Sequence, residues 1–495
     1  MILAFAAGHA LARAGIVLDA LLAAEALLAR GQIRRIAVAG ALVLTPILLG
    51  AELWRSTQIE HLRHHPALAV LAAIAAALLL AGLTLAFRGR PALFALCAVV
   101  ALPFRFSVLS GGTGGILIVL YFVIAAGALA LVILGDGVER DEPASGGLEA
   151  AIALFVVLYA VQALYTPVAS LSKAVEEVGF FLVPFALLFV LLRRVPWDRE
   201  LLRRCGLAVV VLALLFVAVG ALEYASRRLL FNTALNSNQR YFRINSLFYD
   251  PNIFGRFIVM AMLFVMAALL WEQDRRRVLA GAGVLAVLWL GLVGSASQSS
   301  MLALLVGLAV IAAARFSVRA SALATAVLVV VGVVIAIAAS GRLHLNFSDI
   351  SAANNATSNR ASLVKQGFDL FTERPIAGFG SGSFSCEFLR HTGHTCAPAG
   401  RITSDSHTIP ITVAAEQGVI GLAAYVLLLA TSFWRLAGPG VRRNVARVAI
   451  LAAFTALVVH TWVYADFLED PITWTLLAVG TVLAGRSATR RSAVR

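Results

Sequence analysis

The chain has 495 residues, of which 61% are hydrophobic and only 13% charged, with a mean hydropathy of +0.91. A soluble domain carries about a quarter charged residues, so the composition excludes one and indicates an all-α polytopic membrane protein. The net charge of +14 does not signal nucleic acid as a partner. Nearly all the basic residues are arginines at the ends of apolar runs, where membrane topology places them, and Lys173 and Lys365 are the lysines.

Crossing a bilayer takes about 20 mostly apolar residues in a helix. Apolar runs start near Ile36, Ala67, Pro91, Gly115, Leu148, Gly179, Leu207, Ile253, Val278, Met301, Ala320, Thr408, Val445 and Ile472, which predicts about 12 to 14 transmembrane helices. Residues 1–30 are rich in Ala and Leu but carry His9, Arg13, Asp19 and Glu25. They form either a further span with its polar groups facing the bundle or an interfacial helix. No cleavable signal peptide is expected, because a basic stretch leading into a short apolar run and an A-x-A site is missing.

Charge orients the stack. Placing Arg34 and Arg35, Arg88 and Arg90, Arg193 and Arg194, Arg275 to Arg277, Arg315, Arg442 and Arg443, and the tail with Arg490, Arg491 and Arg495 in the cytoplasm satisfies the positive-inside rule with strict alternation. Residues 1–340 are then N-terminal and central transmembrane helices with an external loop at about 226–252. Residues 341–407 form a large extracytoplasmic loop bearing short amphipathic helices, and residues 408–495 hold the C-terminal spans and a basic cytoplasmic tail. An acidic turn at 464–470 also falls outside.

The outer side carries two polar islands, NQRYFRINSLFYDPNIFGR around Arg243 and the stretch from Arg360 to Gly421. Their basic residues, among them Arg240, Arg243, Arg256, Arg360, Lys365, Arg374 and Arg401, run against the positive-inside bias, and a shared anionic ligand is the simplest reason to keep them there. Arg243, with Tyr241, Phe242, Phe248 and Tyr249 around it, can bind phosphate bidentately or anchor the chain at the membrane surface. Asp250 and Asn252 precede a helix and read as caps. Residues 360–371 have apolar positions at helical spacing, which suits an amphipathic helix lying on the membrane with Arg360 and Lys365 toward its polar face. Gly378, Gly380 and Gly382 have no strand before them, so they are read as a flexible turn with open backbone N–H groups rather than a P-loop.

His407 follows Ser404-Asp405-Ser406 and opens an apolar run. A helix N-terminus favours neutral imidazole, the form a general base needs. It is either such a base or a plain helix-start residue. Cys386 and Cys396 share one polar loop and can pair in an oxidising compartment; His391 and His394 beside them do not make a standard zinc spacing. Cys97 and Cys205 read as core residues.

In combination these motifs resemble the O-antigen ligase and O-antigen polymerase-like superfamily of GT-C-type membrane glycosyltransferases. The stretches that carry the resemblance are RINSLFYDPNIFG, then R-x6-G-F-x2-F-x3-P-I-x-G-F-G-x-G-x-F from Arg360, then His407 followed by ten residues and Gly418. The resemblance covers about Arg240 to Trp474. It implies transfer of a glycan from undecaprenyl diphosphate to an acceptor hydroxyl at the outer face of the cytoplasmic membrane, with inversion and without a cofactor or an obligatory metal. His407 would activate the acceptor hydroxyl, and Arg243 and Arg360 would hold the diphosphate, with Arg240 and Lys365 as further basic contacts. Gln298 stands where many relatives carry Arg in S-x-S-R, so the resemblance does not carry a third phosphate contact over to this position. The expected partners are the lipid-linked glycan donor, a glycan or lipid acceptor, and membrane lipids. The alternatives are a polymerase joining lipid-linked repeat units and, from a different class, a polyprenol-linked glycan flippase. A flippase needs charges through the bundle rather than gathered at one face.

Overall fold

The computed structural model describes residues 2–54, 60, 64–104, 117–134, 145–236, 242–316, 360–396 and 406–492. Among these the regular elements are helical and no strand occurs. In chain order the α-helices are α1 (Ile2–Leu28), α2 (Gly31–Leu53), α3 (Pro66–Arg88), α4 (Pro91–Ala101), α5 (Ile118–Leu134), α6 (Gly147–Gln162), α7 (Val168–Glu176), α8 (Val183–Arg193), α9 (Arg199–Ser226), α10 (Pro251–Leu269), α11 (Arg275–Ser295), α12 (Gln298–Arg315), α13 (Arg360–Glu373), α14 (Phe384–His391), α15 (Ile409–Leu436), α16 (Val445–Trp462) and α17 (Pro471–Ser492). A π-helical turn, Glu177–Leu182, joins α7 to α8. Nine segments among the described residues are long and apolar enough to cross a membrane, and α4, α5 and α6 are shorter apolar helices. The chain is thus an all-α, multi-pass membrane protein. The apolar run near Ala320 and the first part of the large loop, residues 317–359, lie outside the described residues.

The helix ends sort by chemistry. Arg193 at the end of α8 pairs with Glu149 at the start of α6 at 2.9 Å. Arg486 of α17 bonds to the Trp197 carbonyl just before α9. Arg315 at the end of α12 donates to the Leu270 carbonyl after α10 at 3.2 Å, and Arg442 before α16 donates to Ala313. Arg447 donates to the carbonyls of Leu436, Gly438 and Pro439 after α15. One end of the bundle therefore has arginines closing exposed helix carbonyls, where a cation is favoured by the dipole. The opposite end collects the starts of α10, α12 and α17, the end of α16, and both polar islands.

Residues 2–28, for which two readings were open, form one helix inside the bundle. Ile16, Ala20, Ala23, Ala26 and Leu27 are buried. Two of its polar groups are partnered within the protein: Arg13 donates to the Thr166 carbonyl at 2.7 Å, and Thr45 of α2 donates to Asp19 at 2.8 Å. Such inward partnering is what a polar group among apolar helices requires.

α15 is not one straight span. Gly418 (φ 63°, ψ −161°) breaks it, leaving a nine-residue helical piece, 409–417, before the apolar run proper begins at Val419. The amphipathic helix α13 crosses this piece closely: a Cβ at Gly367 would lie 2.4 Å from the Ile411 side chain. A disulfide between Cys386 of α14 and Cys396 closes the loop beyond α14, using both sulfurs that a zinc site there would need.

Two outcomes follow. Gly418→Ala should destabilise the detergent-solubilised protein, with at least about 1–3 kcal/mol from backbone strain alone and a further clash with the Ile376 carbonyl oxygen at 2.3 Å; a melting temperature equal to wild type would refute the break. Maleimide labelling of denatured protein should find two free thiols, Cys97 and Cys205, and four only after reduction.

Candidate functional site

The glycine-rich stretch of the second island repairs the helix break. A break leaves carbonyls before it and N–H groups after it without helical partners. Here Phe379 N–H donates to the Ala415 carbonyl (3.2 Å) and Gly380 N–H to that of Glu416 (2.8 Å). Val419 N–H donates to Pro375 (2.8 Å) and Ile420 N–H to Ile376 (3.3 Å). The Gln162 amide supplies the bond to the Gln417 carbonyl at 3.0 Å. Glu416, itself buried, turns its carboxylate back onto the loop and accepts from Gly382 and Phe384 N–H, both at 2.9 Å.

This corrects the reading of an open turn. The N–H groups of Gly378, Gly380 and Gly382 are all engaged. All three glycines have φ between +67° and +101°, and a Cβ on them would meet Glu416 backbone, Thr166 and Ala174 respectively, at under 3 Å. The glycines are there for close backbone approach, and Glu416 is a brace rather than a free carboxylate. Tyr165 and Thr166 complete the seat by donating to the Ala377 and Ser381 carbonyls at 2.6 and 2.8 Å.

His407 lies just before the short helical piece, in a left-handed backbone conformation (φ 52°), which non-glycine residues adopt uncommonly, though His does so more than most. Ser406 holds it there. Its buried hydroxyl lies 2.8 Å from the Thr408 carbonyl and 2.5 Å from the Thr412 hydroxyl, and accepts from Thr408 N–H at 3.1 Å. The imidazole stacks on the ring of Tyr464, with centroids 5.6 Å apart and planes within 26°. Tyr464 belongs to the acidic turn between α16 and α17, and its ring also meets His460 edge-on at 5.5 Å. Burial, followed by the charges of Asp250 and Asp466, holds the Tyr464 hydroxyl well above its usual range, so it stays protonated and hydrogen-bonds Asp250.

From His460 a line of polar contacts runs to Arg243. His460 Nε2 lies 3.2 Å from the hydroxyls of both Ser299 and Ser300. Ser297 contacts both serines, at 3.2 and 2.8 Å, and donates to Asn252 Oδ1 at 2.8 Å. That same oxygen accepts from Arg243 Nη2 at 3.4 Å. Arg243 Nε donates to the Ser295 carbonyl at the end of α11 at 3.0 Å, and its backbone is held on both sides by the Asn236 amide. Among the described residues the hydrogen bonds of the guanidinium use Nε and Nη2, two of the nitrogens that carry an arginine's five donor hydrogens.

Arg256, 1% exposed, ties the acidic turn down. It pairs with Asp470 at 2.9 Å and Asp466 at 3.5 Å and donates to the Ala465 and Asp466 carbonyls at 3.4 Å. It is thus a structural arginine rather than a surface cation. Asp250 caps α10 as expected, accepting from Asn252 N–H at 2.6 Å. Asn252, in contrast, bridges Arg243 and Ser297 rather than capping.

Of the residues read from sequence, His407 and Arg243 thus join one continuous network. Lys365 sits on the exposed face of α13 beside Asp369 at 3.2 Å, apart from that network. Arg360 opens α13, and its side chain, like Arg240, Arg401 and Asp405, lies outside the described residues. Sequence reasoning passed over Tyr464, His460 and the serines 297, 299 and 300, and read Asn252 only as a cap. The signal was present: a His in the last turn of an apolar helix, and a serine run opening another, are expensive at membrane depth without partners.

A search of curated proteins found no match for the chain. Residues 283–426 match the family model described as O-antigen ligase; the matched stretch contains Arg360, the glycine loop, His407 and the break at Gly418, whereas Arg243 precedes it. In agreement with its motifs, residues 283–426 of this multi-pass membrane protein are similar to an O-antigen ligase domain.

Proposed function

We propose that this protein transfers a glycan from undecaprenyl diphosphate to an acceptor hydroxyl at the extracytoplasmic end of the bundle. The observation that carries the reading is the joining of His407 and Arg243, 164 positions apart in the sequence, by one unbroken line of side-chain contacts through Tyr464, His460, the serines and Asn252. This line of contacts supports assigning a group suited to take a proton and a group suited to hold an anion to one site.

In the step, His407 takes the proton from the acceptor hydroxyl as its oxygen attacks the anomeric carbon. The bond from that carbon to the diphosphate oxygen breaks on the opposite face, which inverts the centre. Undecaprenyl diphosphate departs with the bonding electron pair, and Arg243 neutralises the charge that develops, with Arg360 as its second clamp. Donors fixed where charge develops contribute most in a site that excludes water. The arginines at the basic end support an extracytoplasmic location for the opposite, site-bearing end, by the positive-inside rule.

In membranes supplied with a lipid-linked glycan donor, His407→Ala should lower kcat by at least about a hundredfold, the usual scale of a lost general base, while donor still binds. Arg243→Ala should chiefly raise the KM for donor. Full turnover by His407→Ala at equal expression would overturn the base assignment. An Arg243→Ala variant with an unchanged KM and reduced kcat would overturn its binding role.

A further inference from the structure

The turn from Tyr464 to Asp470 is held far more firmly than a connection between two helices needs. A buried arginine and two aspartates are committed to it. Replacing such a pair by apolar residues is often neutral or stabilising, so stability alone does not explain its presence. What the pair does geometrically is hold residues 465 and 466 against α10, and so fix the backbone that carries Tyr464.

Tyr464 is 6% exposed and is gripped at three points. One ring face lies on His407, its edge contact is His460, and its hydroxyl bonds Asp250 at the cap of α10. His407, in contrast, sits in a left-handed turn ahead of a short helical piece and is only partly buried as a residue. An imidazole on such a turn has two side-chain torsions to settle, and the flat wall of a fixed tyrosine restricts both. His460, fully buried, is braced by two serine hydroxyls that also touch Ser297, the residue that orients Asn252 against Arg243.

We propose that Tyr464 is a positioning residue that sets the His407 ring, and that His460 keeps that ring in register with Arg243. This rests on the reading of His407 as the base. It assigns to the turn after α16 a function in the reaction, although no atom of Tyr464 or His460 is required to touch substrate. A base displaced by about 1 Å can lose a hundredfold in rate, so the loss of the wall should be visible in turnover rather than in donor binding.

The test compares wild type with Tyr464→Phe, Tyr464→Leu and His460→Ala as purified full-length protein. Two readouts are needed: kcat and KM for transfer from a lipid-linked donor, and the rate at which diethyl pyrocarbonate modifies His407, followed by peptide mass spectrometry. Tyr464→Leu should lower kcat by about 10- to 100-fold with KM within about twofold, and should change the His407 modification rate severalfold. Tyr464→Phe, which keeps the ring, should retain at least about a third of kcat and a near wild-type modification rate. His460→Ala should lower kcat and also raise the donor KM. Wild-type kcat in Tyr464→Leu, or a loss shared equally by Phe and Leu, would overturn the proposal, as would an unchanged modification rate in folded Tyr464→Leu. If Tyr464→Leu fails to fold, Tyr464→Phe and His460→Ala decide: a Phe variant as slow as His407→Ala, or a His460→Ala variant with wild-type kcat and KM, overturns it. If wild type transfers nothing, the base reading falls, and the modification rates still report whether Tyr464 orients His407.

Discussion

The break at Gly418 is the feature on which the site depends. Between apolar helices a backbone group without a partner costs several kcal/mol, so a helix can stop there only if something supplies the missing bonds. The loop 375–384 and Gln162 supply them, and the Glu416 carboxylate returns two more to the loop. The spacing from His407 to Gly418 thereby acquires a physical meaning. It is the length of a short helical piece, anchored at its far end by the repaired break and at its near end by the Ser406 hydroxyl. His407 is held above the bundle by both.

The same requirement shapes the other half of the site. Asn252, Ser297, Ser299, Ser300 and His460 lie at helix ends that abut one another, and each satisfies a neighbour. Networks of this kind rigidify when complete. Arg243 is fastened into this one through its Nε and Nη2, and through backbone bonds to Asn236. An arginine prepared in this way loses little freedom on meeting an anion, the condition under which preorganised charge contributes most. Arg256, by comparison, is engaged through Nη1 and Nη2 by Asp466, Asp470 and two carbonyls. Two arginines from one island thus have opposite fates, and the difference lies in whether acidic partners reach them.

The arginines at the opposite end of the bundle illustrate a separation of duties. Arg315, Arg442, Arg447 and Arg486 each donate to carbonyls at or beside helix ends. Arg315, Arg442 and Arg447 satisfy carbonyls at helix C-termini that would otherwise need water, Arg486 ties α17 to the carbonyl ahead of α9, and by the positive-inside rule all four favour one orientation in the membrane.

Composition and periodicity by themselves determined the all-α multi-pass class, the positions of most spans, the amphipathic character of α13, the pairing of Cys386 with Cys396 as one of two options, and the two islands that carry His407 and Arg243. These are properties of local sequence: apolar run length, charge at run ends, and short motif spacing. The tertiary structure alone decided that the glycine N–H groups are occupied, that Glu416 braces a loop, that Arg256 is neutralised, and that Tyr464 and His460 stand between the two islands. Each of those depends on which backbone or side chain from a distant segment arrives at hydrogen-bond range. A polar residue in the sequence shows that a partner is needed, and only packing chooses the partner.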